Sequence, residues 1–435
     1  MNEKTVWESY TEEDKKKVYD FCEEYRTFLS KCKTERECVK EILKEAEAKG
    51  YRSLKEVRRS GEKLQAGDKV YVSIMGKTLA LFHIGKEPME KGMNILGAHI
   101  DSPRLDLKQN PLYESDGLAM LETHYYGGIK KYQWVAMPLA LHGVVAKKDG
   151  TSVEIALGED PSDPVIGISD LLPHLAAQQN ERKLKDGIKG EELNIIVGSL
   201  PYPCEEEDSI KEPVKLLALS LLNERFGMTE KDFLRAEIEF VPAVKATDVG
   251  LDRSLVGAYG QDDKVCAYTA LTAEMKAKSP EYTTVTILAD KEEIGSVGNT
   301  GLNSDFTLHY IEGLCKAGNV DVRKVLKHSL CLSADVNAAY DPTFASVFEE
   351  KNSCYLNKGV VLTKYTGARG KSGSNDASAE TMAKVIQIMD EAGVYWQIGE
   401  LGAVDVGGGG TVAKYVANQD IDTIDIGVPV LSMHS

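Results

Sequence analysis

The chain has 435 residues, of which 42% are hydrophobic and 28% are charged, and its formal net charge is −16 at pH 7. This composition is that of a folded globular protein long enough for two or three domains, so an intrinsically disordered chain is excluded. The negative charge disfavours nucleic-acid binding, which requires a basic surface, and we expect no nucleic-acid partner.

The cysteines and the apolar runs indicate where the protein resides. The eight cysteines are scattered and form no CxxC motif, which is typical of reduced thiols in a cytoplasmic protein. The first residues, MNEKTVWESYTEEDKKK, are charged where a signal peptide needs an apolar core, and the longest apolar run, WVAMPLALHGVVA, is interrupted by Pro138 and His142. We therefore expect a cytoplasmic protein without a membrane span.

Helices are predicted for the first sixty residues, and strands follow. Thr34 and Glu37 form a capping-box pattern before the segment CVKEILKEAEAKG, which indicates a helix start. From about residue 69 the pattern changes to β-strands in KVYVSIM, TLALFHIG and MNILGAHID.

The middle of the chain differs from its two flanks. Residues 106–254 contain a predicted hairpin, GVVAKKDGTSVEIALG, and an acidic stretch, CEEEDSIKE, and they indicate an inserted second domain. After them, the apolar strands TTVTILAD, HSLCLSADV and IDTIDIGVP alternate with helical segments. We therefore predict an α/β fold with a mixed, mainly parallel sheet flanked by helices, built from residues 1–105 and 255–435.

Polar side chains follow the apolar strands or stand at a helix start. They are His99, Asp101, Asp262, Asp263, Glu292, Glu293, Asp335 and His434. Because ligands bind at the carboxyl ends of strands in such sheets, imidazole and carboxylate groups there predict a divalent metal site that suits zinc or manganese. Asp101, two residues after His99, is placed to orient its imidazole.

Each of these residues has a simpler interpretation when it is taken alone. The His99-Ile100-Asp101 triplet could lie on the surface by chance, Asp262 and Asp263 could cap the following helix, Asp335 could form a turn, and the terminal His434 could be a tail residue. The adjacent Glu292 and Glu293 could be solvated; if they end an extended strand, their side chains point to opposite sides. The joint pattern favours the metal site.

Other chemistries have weaker support in the sequence. No G-x-S-x-G motif is present. The stretch DVGGGGTVAKYVA places Gly408, Gly410 and Ala413 in a G-x-G-x-x-A spacing, but too little sequence follows for a dinucleotide-binding fold. We interpret it as a glycine turn before a helix.

The sequence contains five motifs in a characteristic order: GAHIDSPRL, GQDDK, DKEEIGS, SADVNAAYDP and DIGVPVLSMHS. Through these motifs it resembles the aspartyl aminopeptidases and vacuolar aminopeptidase I, a family of dizinc exopeptidases. The resemblance implies a zinc-exopeptidase-like catalytic domain with an inserted, mainly-β dimerisation domain at residues 106–254. It also implies homodimers that assemble into a tetrahedral dodecamer.

The same resemblance implies two metal positions. Asp262 would bridge two divalent ions, with His99 and Asp335 completing one position and Glu293 and His434 the other. Zinc is the expected metal, with manganese and cobalt as alternatives.

Catalytic roles are also implied by the resemblance. Glu292 would be the general base, Asp101 would support His99, and His174, in ISDLLPHLAAQQ, would reach the active site of a neighbouring subunit. The expected reaction is removal of N-terminal residues from peptides with a free N-terminus, through attack of a water that bridges the two metals. A related carboxypeptidase or deacylase, or a catalytically silent assembly protein, remain alternatives. Arg369 and Lys371 could recognise an acidic substrate side chain, and a neutral or broad preference stays open.

Overall fold

The structure is a computed structural model that describes residues 5–203 and 210–435. Residues 204–209 of the acidic stretch, including Cys204, lie outside the described residues. The helices, numbered in chain order, are α1 (Glu12–Lys31), α2 (Glu35–Ala48), α3 (Leu54–Ser60), α4 (Ala177–Asn180), α5 (Pro213–Phe226), α6 (Gln261–Lys276), α7 (Phe306–Gly318), α8 (Val322–Lys327), α9 (Ala368–Lys371), α10 (Ala379–Glu391) and α11 (Ala413–Ala417).

The strands are numbered in the same way. They are β1 (Arg52–Ser53), β2 (Lys69–Ile74), β3 (Thr78–His83), β4 (Met93–His99), β5 (Arg104–Ser115), β6 (Leu118–Tyr126), β7 (Leu139–Ala146), β8 (Ser152–Leu157), β9 (Ile195–Gly198), β10 (Ala236–Pro242), β11 (Thr247–Val249), β12 (Leu255–Gly257), β13 (Thr283–Ala289), β14 (Leu330–Ser333), β15 (Asn337–Ala338), β16 (Val360–Thr363), β17 (Trp396–Ile398), β18 (Asp422–Gly427) and β19 (Pro429–Val430).

The chain divides into two compact units. The first contains Met1–Ser102 and Gly260–Met433, and the second contains Pro103–Tyr259 together with His434–Ser435. In the first unit, the described residues form a nine-stranded sheet with the order β1-β2-β3-β13-β4-β14-β18-β16-β17. Its central pairs, β13 with β4, β4 with β14 and β14 with β18, are parallel, whereas β2, β3 and β16 make antiparallel pairs. The predicted mixed, mainly parallel sheet is confirmed.

Local sequence explains the elements that support this sheet. The Thr34 hydroxyl accepts a hydrogen bond from the backbone N–H of Glu37, and the Glu37 carboxylate accepts one from the backbone N–H of Thr34. The predicted capping box therefore begins α2. Strand β3 is buried along its whole length, as expected of a strand inside a sheet that is covered on both faces. Helix α6 packs against β4 and β13 and carries part of the candidate site at its start.

The second unit is mainly antiparallel. Six of its described strands form a sheet with the order β8-β7-β10-β5-β6-β9, β11 and β12 form a separate antiparallel pair, and the predicted hairpin is the antiparallel pair β7 and β8. Helix α5 packs against β5, β6 and β9 and contributes Val214 and Ala218 to the apolar core of this unit. Within the described part of the chain, no helix combines the length and apolar character needed to cross a membrane.

Candidate metal centre

The candidate site lies at one edge of the nine-stranded sheet. Strands β13, β4 and β14 are neighbours and run parallel, with Ala289 opposite His99 and Ser333 opposite Gly97. The carboxyl ends of these strands therefore meet at the same edge. His99 is the last residue of β4, while the glutamate pair follows β13 and Asp335 follows β14.

His99 is the centre of a buried cluster. Its side chain is 1% exposed, and its Nε2 lies 3.0 Å from Asp262 Oδ1 and 4.0 Å from Asp335 Oδ1. One ligand atom from each of these three residues lies within 4.8 Å of the other two, which is the spacing of side chains that share a metal ion. His99 Nδ1 donates a hydrogen bond to the carbonyl of Asp101 at 3.0 Å, so Nε2 is the nitrogen that faces the carboxylates.

Asp262 lies at the start of α6, next to His99. It and Asp263 have non-helical φ and ψ angles inside α6, and the helix starts after Gly260, which adopts a φ of +79°. The Ser102 hydroxyl donates to the backbone carbonyl of Asp262 at 2.8 Å, and the Lys264 ammonium donates to Ser102 Oγ at 2.9 Å. These contacts hold the backbone of Asp262 beside His99.

Asp101 connects the histidine to the two glutamates. Its carboxylate Oδ1 lies 3.2 Å from His99 Nδ1. The same carboxylate accepts the backbone N–H of Glu292 at 3.1 Å and that of Glu293 at 3.2 Å. One buried side chain therefore fixes the imidazole and the backbone of the glutamate pair together.

The glutamate pair lies in a turn and not in an extended strand end. Strand β13 ends at Ala289, Lys291 adopts a φ of +66°, and Glu292–Ile294 form one turn of 3₁₀-helix. The expectation that extended geometry separates the two carboxylates is therefore wrong, because the left-handed Lys291 reverses the chain before them. Glu292 Oε2 lies 3.9 Å from His99 Nε2, which places it beside the cluster.

The electrostatics of the cluster favour a bound cation. Burial opposes the charged form of His99, but the neighbouring Asp101, Asp262 and Glu292 raise its pKa well above the ordinary value. Burial and the charge of Asp263 raise the pKa of Asp335 well above that of an ordinary aspartate. Carboxylates this crowded either bind protons or share a positive ion. The carboxylate oxygens and the imidazole nitrogen of the cluster are donor atoms that zinc accepts. The residues therefore fit a metal ion.

The two other predicted histidines belong to the second unit. His434 Nδ1 donates a hydrogen bond to the carbonyl of Gly128 at 2.6 Å, which leaves Nε2 as the nitrogen with the lone pair. His174 is exposed, and it lies in a segment whose Leu172 and Leu175 are also exposed.

The glycine stretch forms the predicted turn before a helix. Gly408 adopts a φ of +112°, and a side chain there would meet the backbone of Ala368 at 2.6 Å, so the two backbones approach closely. Of the two candidate cations, Lys371 already binds Asp376 at 2.9 Å and lies over the ring of Tyr365, whereas Arg369 is exposed.

Some residues of the site were not assigned roles from the sequence. Asp263 is buried beneath the cluster, where its Oδ2 lies 3.4 Å from the backbone N of His99, and Lys264 supports Asp262 through Ser102. Asp263 and Lys264 stand next to Asp262 in the GQDDK motif. That adjacency was the signal in the sequence that could have indicated their roles. Asp290, directly after β13, is 1% exposed and accepts a hydrogen bond from Thr300.

The chain is similar to known proteins over nearly its whole length. The profile of the family described as aminopeptidase I zinc metalloprotease (M18) matches residues 28–435. The probable M18 family aminopeptidase 1 of Clostridium acetobutylicum is 52% identical over 438 residues, which cover 99% of this chain and 93% of that protein.

Solved structures show the same fold. An M18-family aminopeptidase from Thermotoga maritima superposes with a TM-score of 0.94 at 45% identity, covering 100% of this chain and 94% of that one. Aminopeptidase I from Clostridium acetobutylicum gives a TM-score of 0.93 at 49% identity, with coverage of 100% and 94%. The S. cerevisiae mApe1 dodecamer shares the fold at a TM-score of 0.78 and 23% identity, with coverage of 96% and 92%.

Proposed function

The chain belongs to the M18 aminopeptidase I family of zinc metalloproteases and is a metal-dependent aminopeptidase, and from this premise we propose that it removes N-terminal residues from peptides at a pair of zinc ions. The observation that carries the proposal is the buried group of His99, Asp262 and Asp335, whose ligand atoms lie within 4.8 Å of one another. Manganese and cobalt have compatible ligand preferences and remain candidates for the native metal.

The proposed ligands divide into two sets. His99 and Asp335 would hold one ion, Glu293 and His434 would hold the other, and Asp262 would bridge them, as the family resemblance implies. In support, both histidines donate through Nδ1 to a backbone carbonyl, His99 to Asp101 and His434 to Gly128. Such a hydrogen bond fixes the tautomer that presents Nε2 to a metal.

Glu292 is the proposed general base. When bound, zinc supplies the Lewis acidity that polarises a peptide carbonyl and makes water acidic enough to attack it near neutral pH. Glu292 would accept the proton of the attacking water at its carboxylate and deliver it to the leaving amine. Its backbone N–H is held by Asp101, and its Oε2 lies 3.9 Å from His99 Nε2, so the base stands next to the ligands.

Assembly and location are proposed on the same resemblance. Residues 106–254 would form a dimerisation domain inserted into the catalytic domain of residues 1–105 and 255–435. Dimers would assemble into a tetrahedral dodecamer in the cytoplasm. His174 would enter the active site of a neighbouring subunit and help to bind the oxyanion, and its exposed position supports a role outside its own subunit.

The test is a panel of aminoacyl reporter substrates with Asp, Glu, Leu, Lys and Met, assayed on the zinc-reconstituted wild type and two matched variants. We expect Glu292→Gln to lose turnover while it retains its zinc, and Glu293→Gln to lose one zinc ion per subunit. Equal zinc loss in the two variants would contradict this division of roles.

The same panel examines substrate class. N-acetylated versions of the reporters should not be cleaved, and their hydrolysis at a rate similar to the free amines would indicate a deacylase or another amidohydrolase. Because Asp376 already binds Lys371 at 2.9 Å, an acidic substrate side chain would have to compete with it for that cation. The rates on Asp and Glu against those on Leu and Met report the outcome.

A further inference from the structure

The segment that carries Glu292 and Glu293 leaves the sheet and returns to the same point. We name residues 291–299 the catalytic turn. It begins directly after Asp290, and it ends before Thr300 and Gly301, where Asp290 and Gly301 form a parallel bridge. The geometry of the whole turn therefore depends on how its two ends are joined.

A closed ring of hydrogen bonds joins the two ends. The backbone N–H of Asp290 donates to Thr78 Oγ1 at 3.1 Å, and the Thr78 hydroxyl donates to the backbone carbonyl of Thr300. The Thr300 hydroxyl donates to the Asp290 carboxylate at 2.6 Å, which closes the ring. Each of the three residues is at most 1% exposed, so water does not compete for these groups.

The ring also ties the turn to a second strand. Thr78 begins β3, which pairs antiparallel with β13, and Leu79 lies opposite Leu288 in that pair. A hydroxyl group at position 78 therefore reaches the two ends of the turn from a fixed, buried position. Alanine or valine could fill the space, but only a hydroxyl both accepts from Asp290 and donates to Thr300.

We propose that Thr78 and Thr300 are positioning residues for the general base. Their hydroxyls join the two ends of the catalytic turn and so set the position of Glu292. The inference rests on the proposed function. Asp101 and Tyr415 hold the turn at other points, through the N–H groups of the glutamates and through the carbonyl of Gly295. Neither of these contacts joins the two ends, so the ring has a separate effect on the position of the turn.

The expected effect falls on the chemical step. A displacement of the base by a fraction of an ångström lowers the rate of proton transfer, while the ligand cluster around His99 stays in place. At saturating zinc, which is needed because the proposed ligand Glu293 lies in the same turn, we expect Thr78→Val and Thr300→Val each to lower kcat by about 10- to 100-fold with KM within about threefold of the wild type and the zinc ion of the His99 and Asp335 set retained. Thr78→Ser and Thr300→Ser restore the hydroxyl and should recover most of the loss.

Thr286→Val is the matched control. Thr286 lies on β13, the strand that leads into the catalytic turn, is fully buried, and donates its hydroxyl to Glu274 Oε2 at 3.1 Å, away from the turn. It therefore reproduces the loss of a buried hydroxyl and its cost in stability without opening the ring. A kcat for Thr78→Val no lower than that for Thr286→Val would overturn the inference, as would serine variants that are no better than valine.

A double variant tests whether the ring is one unit. Because either valine opens the same ring, Thr78→Val/Thr300→Val should lose little more kcat than one substitution alone. A loss equal to the product of the two single losses would show independent contributions and would refute a closed ring. Full turnover in Glu292→Gln overturns the proposed function itself, whereas loss of turnover there with an active Thr78→Val overturns only this inference.

Discussion

Asp425 gives the protein a pH-dependent stability that can be calculated. It lies on β18, is 3% exposed, and burial raises its pKa from 3.8 to about 7, although the hydroxyls of Thr411 and Ser333 favour its charged form. In the unfolded chain the carboxyl ionises near its ordinary pKa, so between these values the folded protein binds one more proton. The stability that this group contributes is complete below the unfolded pKa and is lost as the pH rises through the folded pKa.

The magnitude follows from the shift. One pKa unit corresponds to about 1.4 kcal/mol, so the total loss is on the order of 4 kcal/mol, of which about 3 kcal/mol falls between pH 5 and pH 8. Asp425→Asn removes the titration while it keeps the shape of the side chain. Relative to the wild type, its free energy of unfolding should therefore rise by about 3 kcal/mol on going from pH 5 to pH 8.

The assay is urea-induced unfolding of zinc-loaded wild type and variant at both pH values. The pH dependence of zinc binding is common to the two proteins and cancels in their difference. Asp422→Asn, an exposed substitution on the same strand, is the control and should track the wild type. If the difference between Asp425→Asn and the wild type is the same at pH 5 and pH 8, the buried carboxyl does not titrate in this range and the reasoning is refuted.

Three further predictions concern the metal centre. Asp101→Asn retains one good acceptor for the two N–H groups of Glu292 and Glu293, so we expect kcat and zinc affinity each to fall roughly 10- to 100-fold, measured by turnover and zinc titration; a wild-type value for either would contradict it. Removal of metal with a chelator should lower the unfolding temperature, because zinc binds only the folded cluster, and calorimetry before and after zinc is returned checks this. Lys264→Met removes the buried ammonium that holds Ser102 and should lower the free energy of unfolding by about 2 kcal/mol in urea, and an unchanged value would exclude a supporting role.

Much of the site could be predicted because the relevant signals are local. His99, Glu293 and Asp335 each follow an apolar strand, and parallel strands place the residues after them at one edge. The sheet itself was predicted from apolar, β-branched runs that alternate with helical segments. Residue type and strand order therefore sufficed to place His99, Glu293 and Asp335 at one edge of the sheet.

The remaining features depend on backbone angles and on distant partners. The left-handed conformation of Lys291 turns the chain before the glutamates, and lysine is not a residue type that signals such a turn. Thr78 and Thr300 are separated by 222 residues, and a threonine at the start of a strand is an ordinary β-forming residue. No local pattern distinguishes a hydroxyl that closes a ring from one that simply packs.

The two supports of the catalytic turn should have different kinetic consequences. Asp101 contacts both the His99 imidazole and the backbone of Glu292 and Glu293, so a change there moves the proposed ligand His99 and the proposed general base Glu292 together. Zinc affinity and kcat should therefore fall together in Asp101 variants. Thr78 contacts only the two ends of the turn, at Asp290 and Thr300. Its variants should therefore lose kcat while the zinc affinity of the His99 cluster is retained. The adjacent carboxylates of Glu292 and Glu293 are thus held by two separate supports, and one of them, Asp101, also orients the proposed ligand His99.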